Sequence, residues 1–198
     1  MRAAVRAEGL GFASAQRIVL QGLNFELRAG LALVRGGEGR GKTVLLRLLA
    51  GALEPTSGTL VRGTGPVFFE DASAPALDDV VVSDWLRERA ACFPGWREPL
   101  AQRLVEALRL TEHVGKTFHM LSAGSRRKAV LAAAVASGAP LTLLDMPFAA
   151  LDARSRGVLC EVLDEATTSA TRVWVVADHE VPAGLDDVRW SAVIDLGD

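Results

Sequence analysis

The feature that most constrains this chain is a glycine-rich segment at residues 36–43, which reads Gly-Gly-Glu-Gly-Arg-Gly-Lys-Thr and matches the spacing G-x-x-x-x-G-K-[ST]. Glycine lets successive backbone N–H groups turn inward without a Cβ clash, so that they form a concave nest for an anion. Lys42 adds a point charge for the outer phosphates, and the Thr43 hydroxyl is suited to ligate Mg²⁺. The segment therefore predicts a site for a nucleoside triphosphate. The plainer alternative is a glycine-rich turn that happens to precede Lys-Thr.

The residues on either side of the loop favour the phosphate site. Residues 31–34 are a short apolar run, typical of a buried parallel strand. Residues 44–50 have the pattern of a helix, and Gly51 is placed to end that helix as a C-terminal cap. Because a helix after such a loop points its positive end at the phosphates, strand, loop and helix together form one anion-binding unit.

The composition narrows the class of protein. The chain has 198 residues, and 49% of them are hydrophobic, enough for the core of one large domain. The formal net charge is −2 with both signs interspersed, which argues against nucleic acid as a partner. The longest apolar stretch, residues 129–144, is interrupted by Ser137, Gly138 and Pro140. It cannot supply the roughly 20 consecutive apolar residues that a membrane-spanning helix needs.

Apolar periodicity divides the chain into an α/β part and a helical part. Strands are predicted at residues 5–8, 18–27, 59–62, 67–69, 141–144, 172–177 and 191–196, and helices at 82–92, 100–110, 129–136 and 158–166. We expect a single domain in which residues 1–70 and 137–198 form the α/β core and residues 71–136 an inserted helical lobe. The predicted fold class is α/β: a P-loop NTPase core of mixed sheet flanked by helices, with an N-terminal antiparallel β part.

A carboxylate follows the apolar run at residues 141–144. Asp145 would lie at the carboxyl edge of a parallel strand, where ligands of α/β proteins bind. An aspartate there can hold Mg²⁺ through water and so complete the metal site that Thr43 begins. The alternative is a carboxylate that only caps the strand end. The phosphate loop upstream favours the metal site.

Two more polar features lie at predicted element ends. Ser122 is positioned to cap a helix beginning near Arg126, and its hydroxyl with the free N–H groups would present a second anion site. His179 follows the strand at residues 172–177 and would lie at the same sheet edge as Asp145. Simple helix capping by Ser122 and a structural role for His179 are the alternatives.

Taken together, these motifs resemble those of the ATP-binding cassette (ABC) ATPases. The phosphate loop, a signature segment, the strand ending in Asp145, an Ala150-Leu151-Asp152 segment and His179 stand in the family's order and at its usual separations, over nearly the whole chain. The signature residues are Leu121, Ser122, Ala123, Gly124 and Ser125. The short chain, the Leu-Ser-Ala-Gly signature and the segment at residues 147–152 are also similar to the ATPase subunits of cytochrome c biogenesis haem exporters.

The resemblance implies a function and a set of partners. It implies that the chain binds ATP with Mg²⁺. It also implies a head-to-tail dimer with a second cassette, identical or different, in which the phosphate loop of one subunit and the signature segment of the other enclose each ATP. It further implies transmembrane transporter subunits as partners and a peripheral position on the cytoplasmic face of the cell membrane. The family's nucleotide contacts fall on Gly36, Gly37, Glu38, Gly39, Arg40, Gly41, Lys42, Thr43 and Val44, its Mg²⁺ contacts on Thr43, Asp145 and Glu70, and its switch histidine on His179.

The chain departs from the family at its catalytic position. The residue after the metal-binding aspartate is normally a glutamate that polarises the attacking water, and here it is Met146. A thioether cannot accept a proton, so general-base catalysis at this position is lost, while the phosphate contacts and the metal ligand remain. We therefore expect ATP binding with weakened hydrolysis.

Other departures affect the metal and base contacts. Glu70 stands where the family usually has glutamine, and it could bind the metal more strongly or replace the missing base. Ser125 replaces the usual glutamine of the signature, and Val44 replaces a second hydroxyl residue of the loop. The usual base-stacking aromatic would fall near Ser14, and Phe12 is the nearest candidate, although a core position for Phe12 is equally compatible with the pattern.

Three alternatives come from other functional classes. Met146 favours a non-hydrolysing subunit that regulates or structurally supports an active cassette. An ABC protein of translation or DNA repair, unconnected with transport, would usually carry two cassettes or a long coiled coil in one chain. A small-molecule kinase with a phosphate loop would have no use for the signature or for His179.

Overall fold

The computed structural model describes residues 5–197, which contain eight β-strands and five α-helices. The strands are β1 (Val5–Ala13), β2 (Ile18–Leu27), β3 (Gly30–Arg35), β4 (Ser57–Arg62), β5 (Val67–Phe68), β6 (Leu141–Asp145), β7 (Val173–Asp178) and β8 (Ala192–Asp195). The helices are α1 (Lys42–Ala50), α2 (Val82–Cys92), α3 (Glu98–Ala107), α4 (Ala123–Ala136) and α5 (Ala153–Thr167). These elements divide into two structural units, the first formed by residues 5–69, 140–146 and 163–197, the second by residues 70–139 and 147–162.

The first unit is built on a five-stranded parallel sheet with the order β5-β6-β7-β3-β8. The central strands β3, β6 and β7 are buried along most of their length, as the unbroken apolar runs in their sequences predict. Pairing in register sets Arg35 beside Asp178 and Asp145 beside Ala177. The carboxyl ends of these three strands therefore meet at one edge of the sheet.

A separate antiparallel sheet with the order β2-β1-β4 belongs to the same unit. In β2 the side chains alternate between the inside and the solvent, so that Leu23, Phe25 and Leu27 pack inward while Asn24 and Glu26 are exposed. The predicted fold class is thus confirmed, with antiparallel and parallel strands in two distinct sheets.

The second unit is mainly helical. Residues 129–136 of α4 are buried around the whole helix, which is typical of a helix at the centre of its unit. Arg126, in the first turns of α4, holds the preceding loop by donating to the carbonyl oxygens of Ala72 at 2.7 Å and Ala74 at 3.1 Å and to Asp78 Oδ1 at 2.6 Å. The Trp85 and Phe118 rings pack edge to face, with 5.5 Å between their centroids.

Helices α4 and α5 begin earlier than the apolar periodicity predicts. Helix α2 has the predicted bounds, whereas α4 starts at Ala123 instead of near Arg126, and α5 starts at Ala153 instead of residue 158. The first turns of α4 and α5 contain small and polar residues and no large apolar side chain, so their capping residues, and not their apolar stripes, mark where they begin. None of the helices between residues 5 and 197 combines the length and apolarity that crossing a bilayer requires.

The approach of β4 to β1 leads to a stability prediction. Gly58 has φ 74°, and a Cβ atom there would lie 2.2 Å from the Gly9 carbonyl oxygen; Gly22 has φ 65° with no atom near its Cβ position. Gly22→Ala should cost about 1 to 2 kcal/mol, because only the left-handed backbone opposes it. Gly58→Ala should cost about 1 to 3 kcal/mol more, since it adds a steric clash to the same backbone strain.

Urea unfolding of the two variants and the parent protein measures this difference. Because both substitutions remove a left-handed glycine, Gly22→Ala is a matched control for the backbone cost. Equal losses in the free energy of unfolding would mean that β1 and β4 do not pack as closely as described.

Candidate functional site

The glycine-rich loop connects β3 to α1, as its sequence predicts. Gly41 has φ 94° and is the N-terminal cap of α1, whose first residues are Lys42 and Thr43. A Cβ atom at residue 41 would lie 2.8 Å from Leu20 Cδ2 and 2.9 Å from Val19 Cγ1. Only glycine satisfies both the left-handed backbone and this close approach of β2. The free N–H groups of the first turn of α1 are thus held open towards a ligand.

Lys42 is the buried charge of the site, with 7% of its surface exposed. Its Nζ donates to the carbonyl oxygens of Gly36 at 2.6 Å and Gly37 at 2.8 Å, and lies 3.3 Å from Nδ1 of His179. These contacts hold the Lys42 ammonium group against the backbone of the loop. A buried ammonium with carbonyl partners that phosphate oxygens can replace is suited to bind the outer phosphates.

The oxygen atoms expected to hold Mg²⁺ lie together. Thr43 Oγ1 donates to Asp145 Oδ2 at 2.6 Å, while Asp145 Oδ1 is buried without a hydrogen-bond partner. A buried carboxylate oxygen is costly unless a partner satisfies it, and a cation would do so. Hydroxyl and carboxylate oxygens beside a phosphate loop fit Mg²⁺, which takes one or two protein ligands together with substrate phosphates and water. Accordingly, residues 5–197 contain no cluster of three or more histidine, cysteine or carboxylate side chains that would enclose a metal ion.

His179 lies at the same edge of the sheet, after β7. Its backbone N–H donates to Asp178 Oδ1 at 2.8 Å, and its carbonyl oxygen accepts from the Gly36 N–H at 3.3 Å. Backbone and side chain of His179 therefore both contact the loop region, the side chain through Lys42. This is where a residue that senses the outer phosphate would have to lie.

Met146 directly follows Asp145 and is half-buried. Its N–H donates to the Ala177 carbonyl oxygen at 2.9 Å, and its φ of 47° places it in the left-handed region. The strand pairing that positions Asp145 therefore positions Met146 as well. The side chain at this position offers a thioether and no proton acceptor.

Glu70 belongs to the second unit and already has a partner. Its Oε1 accepts from Arg89 Nη1 at 2.5 Å, and the same guanidinium binds Glu88. Burial opposes the charge of Arg89, but the two glutamates outweigh that effect and hold the pKa of Arg89 above its ordinary value. The metal-binding and substitute-base roles of Glu70 stay predictions, and either would require Glu70 to exchange Arg89 for another contact.

The signature segment forms the start of α4. Ser122 is the N-terminal cap, with its Oγ accepting from the Ser125 N–H at 3.1 Å, as predicted for this serine. Leu121 is buried, whereas Ser122 and Ala123 are exposed and Gly124 lies in the first turn. The segment thus presents a capped helix N-terminus at the protein surface.

An ion pair not predicted from the sequence supports this segment within the second unit. Lys128 binds the Asp152 carboxylate, which also accepts from the Ser155 N–H at 2.9 Å and so caps α5. These two contacts, the Lys128 hydrogen bond first, lower the pKa of Asp152. Both residues are polar side chains 24 positions apart, and no local pattern marks such a pair.

A cavity of about 200 Å³ lies in front of the loop. Phe12 is not among the residues that line it and instead packs, partly buried, against the hydrophobic core. Two residues that the sequence did not single out, Arg17 and Val19, form the part of the cavity wall that lies outside the loop and α1. Its other lining residues are Gly39, Arg40, Gly41, Lys42, Thr43 and Val44.

Comparison with known proteins agrees with this arrangement. The family model described as ABC transporter matches residues 20–149. The chain is 38% identical over 192 residues to the cytochrome c biogenesis ATP-binding export protein CcmA of Paramagnetospirillum magneticum, covering 87% of this chain and 86% of that protein. It is 34% identical to an ABC transporter ATP-binding protein of Streptomyces coelicolor, covering 87% of this chain and 66% of that protein.

A solved structure supports the same fold. A metal-chelate type ABC transporter in an inward-facing conformation superposes with a TM-score of 0.71 at 29% identity. The match covers 95% of this chain and 77% of that one.

The unpartnered Oδ1 of Asp145 leads to a prediction about the metal. Asp145→Asn should weaken ATP binding in the presence of Mg²⁺ by about 10- to 100-fold, because a neutral amide is a poor ligand for a hard cation. Binding in EDTA should be unchanged, since the backbone contacts and Lys42 remain. Titration of a fluorescent ATP analogue under both conditions measures the two affinities.

Asp164→Asn, which removes an exposed carboxylate on α5, is the matched control and should bind as the parent does. An equal loss with and without Mg²⁺ would mean that Asp145 supports the loop and not the metal.

Proposed function

The chain belongs to the ABC transporter family as an ATP-binding subunit, and we propose that it binds Mg²⁺-ATP, closes head to tail on a second cassette and hydrolyses ATP only slowly. The observation that carries this proposal is Met146, held next to Asp145 by the pairing of β6 with β7. The site contains the groups that would bind phosphate and Mg²⁺. At the position where a base would activate water, it carries only a thioether.

The binding half of the proposal rests on the loop. Lys42, Thr43 and the first turn of α1 provide a charge, a hydroxyl and free N–H groups in one place. All three favour the same ligand, a chain of phosphates carrying Mg²⁺. Asp145 adds the carboxylate that holds the metal, through water or directly. His179 would hydrogen-bond the outermost phosphate once Lys42 has turned from the loop carbonyls to that phosphate.

The slow hydrolysis follows from what Met146 lacks. A positioned general base contributes about 10²- to 10⁴-fold to rate. Without it, bound ATP keeps two cassettes together for longer, because release requires cleavage or slow dissociation. The subunit would then transmit closure to its partners mainly through ATP binding.

The signature supports the head-to-tail arrangement. Ser122 and the N–H groups behind it form an exposed helix N-terminus, a surface that favours a negatively charged ligand. In the proposed dimer this surface of one subunit faces the outer phosphate held by the loop of the other. A second cassette with an intact catalytic acid would make this chain a regulatory partner.

The relatives and their names support a role in export. The resemblance to cytochrome c biogenesis ATP-binding export proteins favours transmembrane subunits as partners and a place on the cytoplasmic face of the membrane. We propose that this chain serves an exporter of that class.

Restoring a carboxylate at residue 146 tests the proposal that hydrolysis is slow. Met146→Glu should raise ATP turnover at least about tenfold, because a carboxylate there can accept the proton of the attacking water. Met146→Gln is the matched control: it has the same length as glutamate and no basicity, so its turnover should equal that of the parent. Phosphate release is measured from the purified chain, alone and with its membrane subunits. Equal rates in all three proteins would contradict the role of Met146.

A change at the cap tests the dimer. Ser122→Asp still caps α4 but places a negative charge where the partner's outer phosphate would lie, so Mg²⁺-ATP should no longer produce a dimer. Ser122→Asn caps equally well without charge and should dimerise as the parent does. Light scattering with and without Mg²⁺-ATP gives the masses. Dimerisation of Ser122→Asp would exclude the signature from the interface.

A further inference from the structure

The two ends of the phosphate site are unequal. Lys42 Nζ lies near His179 and the Gly36 carbonyl oxygen, which marks that side as the place of the outer phosphates. The innermost phosphate and its nucleoside must therefore extend away from His179. On that side the loop opens into the cavity walled by Arg17 and Val19.

The wall of this cavity is held firmly against the loop. Val19 Cγ1 would lie 2.9 Å from a Cβ atom at Gly41, so the start of β2 touches the backbone of the loop. Arg17 lies two residues before Val19, and both residues line the cavity. The turn before β2 fixes the backbone of Arg17, because Ser14 N–H donates to the Arg17 carbonyl oxygen at 2.9 Å and Ser14 Oγ accepts from the Arg17 N–H at 3.3 Å.

The chemistry of the lining residues suits the phosphates and also a flat group attached to them. Among residues 5–197, no aromatic ring and no carboxylate lines the cavity, and the three charged residues that do, Arg17, Arg40 and Lys42, are all cations. Within residues 5–197, no carboxylate forms an ion pair with Arg17. A guanidinium is flat and weakly hydrated, and it stacks on aromatic faces.

We propose that Arg17 stacks on the nucleobase of the bound nucleotide, with Val19 packing beside it. The inference rests on the proposed function, since it places the base of the same triphosphate. Stacking on a guanidinium reads the face of a base and not its hydrogen-bonding edge. The subunit therefore binds ATP and GTP with similar affinity, and the choice between them falls to their cellular concentrations.

Calorimetric titrations with Mg²⁺ and ATP, GTP or inorganic tripolyphosphate test this inference. Arg17→Ala should lower the affinities for ATP and for GTP to the same extent, by roughly 3- to 30-fold. Tripolyphosphate has no nucleobase. Its affinity for this variant should lie within a factor of about two of its affinity for the parent, provided that about 0.15 M salt screens long-range charge. Arg17→Tyr should restore ATP binding, because a ring also stacks.

Arg28→Ala is the matched control, since it removes an exposed arginine from the other end of β2 and should leave all three affinities unchanged. Three outcomes would overturn the inference: ATP affinity unaltered in Arg17→Ala, a parallel loss for tripolyphosphate, or no recovery in Arg17→Tyr. If the parent chain binds neither ATP nor tripolyphosphate, the proposed function fails as well. If the parent binds both, only the role of Arg17 is at stake.

Discussion

The burial of one ammonium group, that of Lys42, is the constraint on which this site depends. A buried charge is tolerated only with hydrogen-bonding partners, and here the carbonyl oxygens of Gly36 and Gly37 provide them. The loop backbone that carries those carbonyls is held on both sides of β3, because the Gly36 N–H donates to the His179 carbonyl oxygen and the Gly37 N–H donates to the Gly197 carbonyl oxygen, beyond β8. The order of the parallel sheet therefore determines where the charge lies. An antiparallel or reordered sheet would leave the ammonium without this set of partners.

The same contacts are the basis of the proposal that the site binds a nucleotide more readily than it cleaves it. Lys42 is satisfied by its own loop, so an incoming phosphate exchanges one set of oxygen partners for another at little cost. Asp145 Oδ1, in contrast, has no partner, and a metal ion removes that penalty. Nothing comparable supports the activation of water, since the position that the strand pairing sets beside Asp145 carries the thioether of Met146. The site thus has groups suited to the phosphate charge and to a metal ion, but residue 146 has no group that would accept a proton from water.

The helical unit contributes a different kind of electrostatics. The signature segment presents the dipole and free N–H groups of α4, which Ser122 caps and Arg126 holds in place within the unit. Within this unit Lys128 forms an ion pair with Asp152, and Arg89 forms one with Glu70. The signature residues 121–125 themselves carry no charged side chain.

Local patterns in the sequence determined the loop, the strands that flank it, the carboxylate after β6 and the cap of α4, because each depends on residues a few positions apart. The starts of α4 and α5 were placed too late, since polar first turns interrupt the apolar stripe. Only the tertiary structure decided that Phe12 packs in the core, that Arg17 and Val19 wall the cavity, and that Glu70 binds Arg89. It also brought Lys42 to His179 across 137 residues. Such contacts depend on which strands become neighbours, and strand order is set by the burial of the whole sheet and not by any short segment.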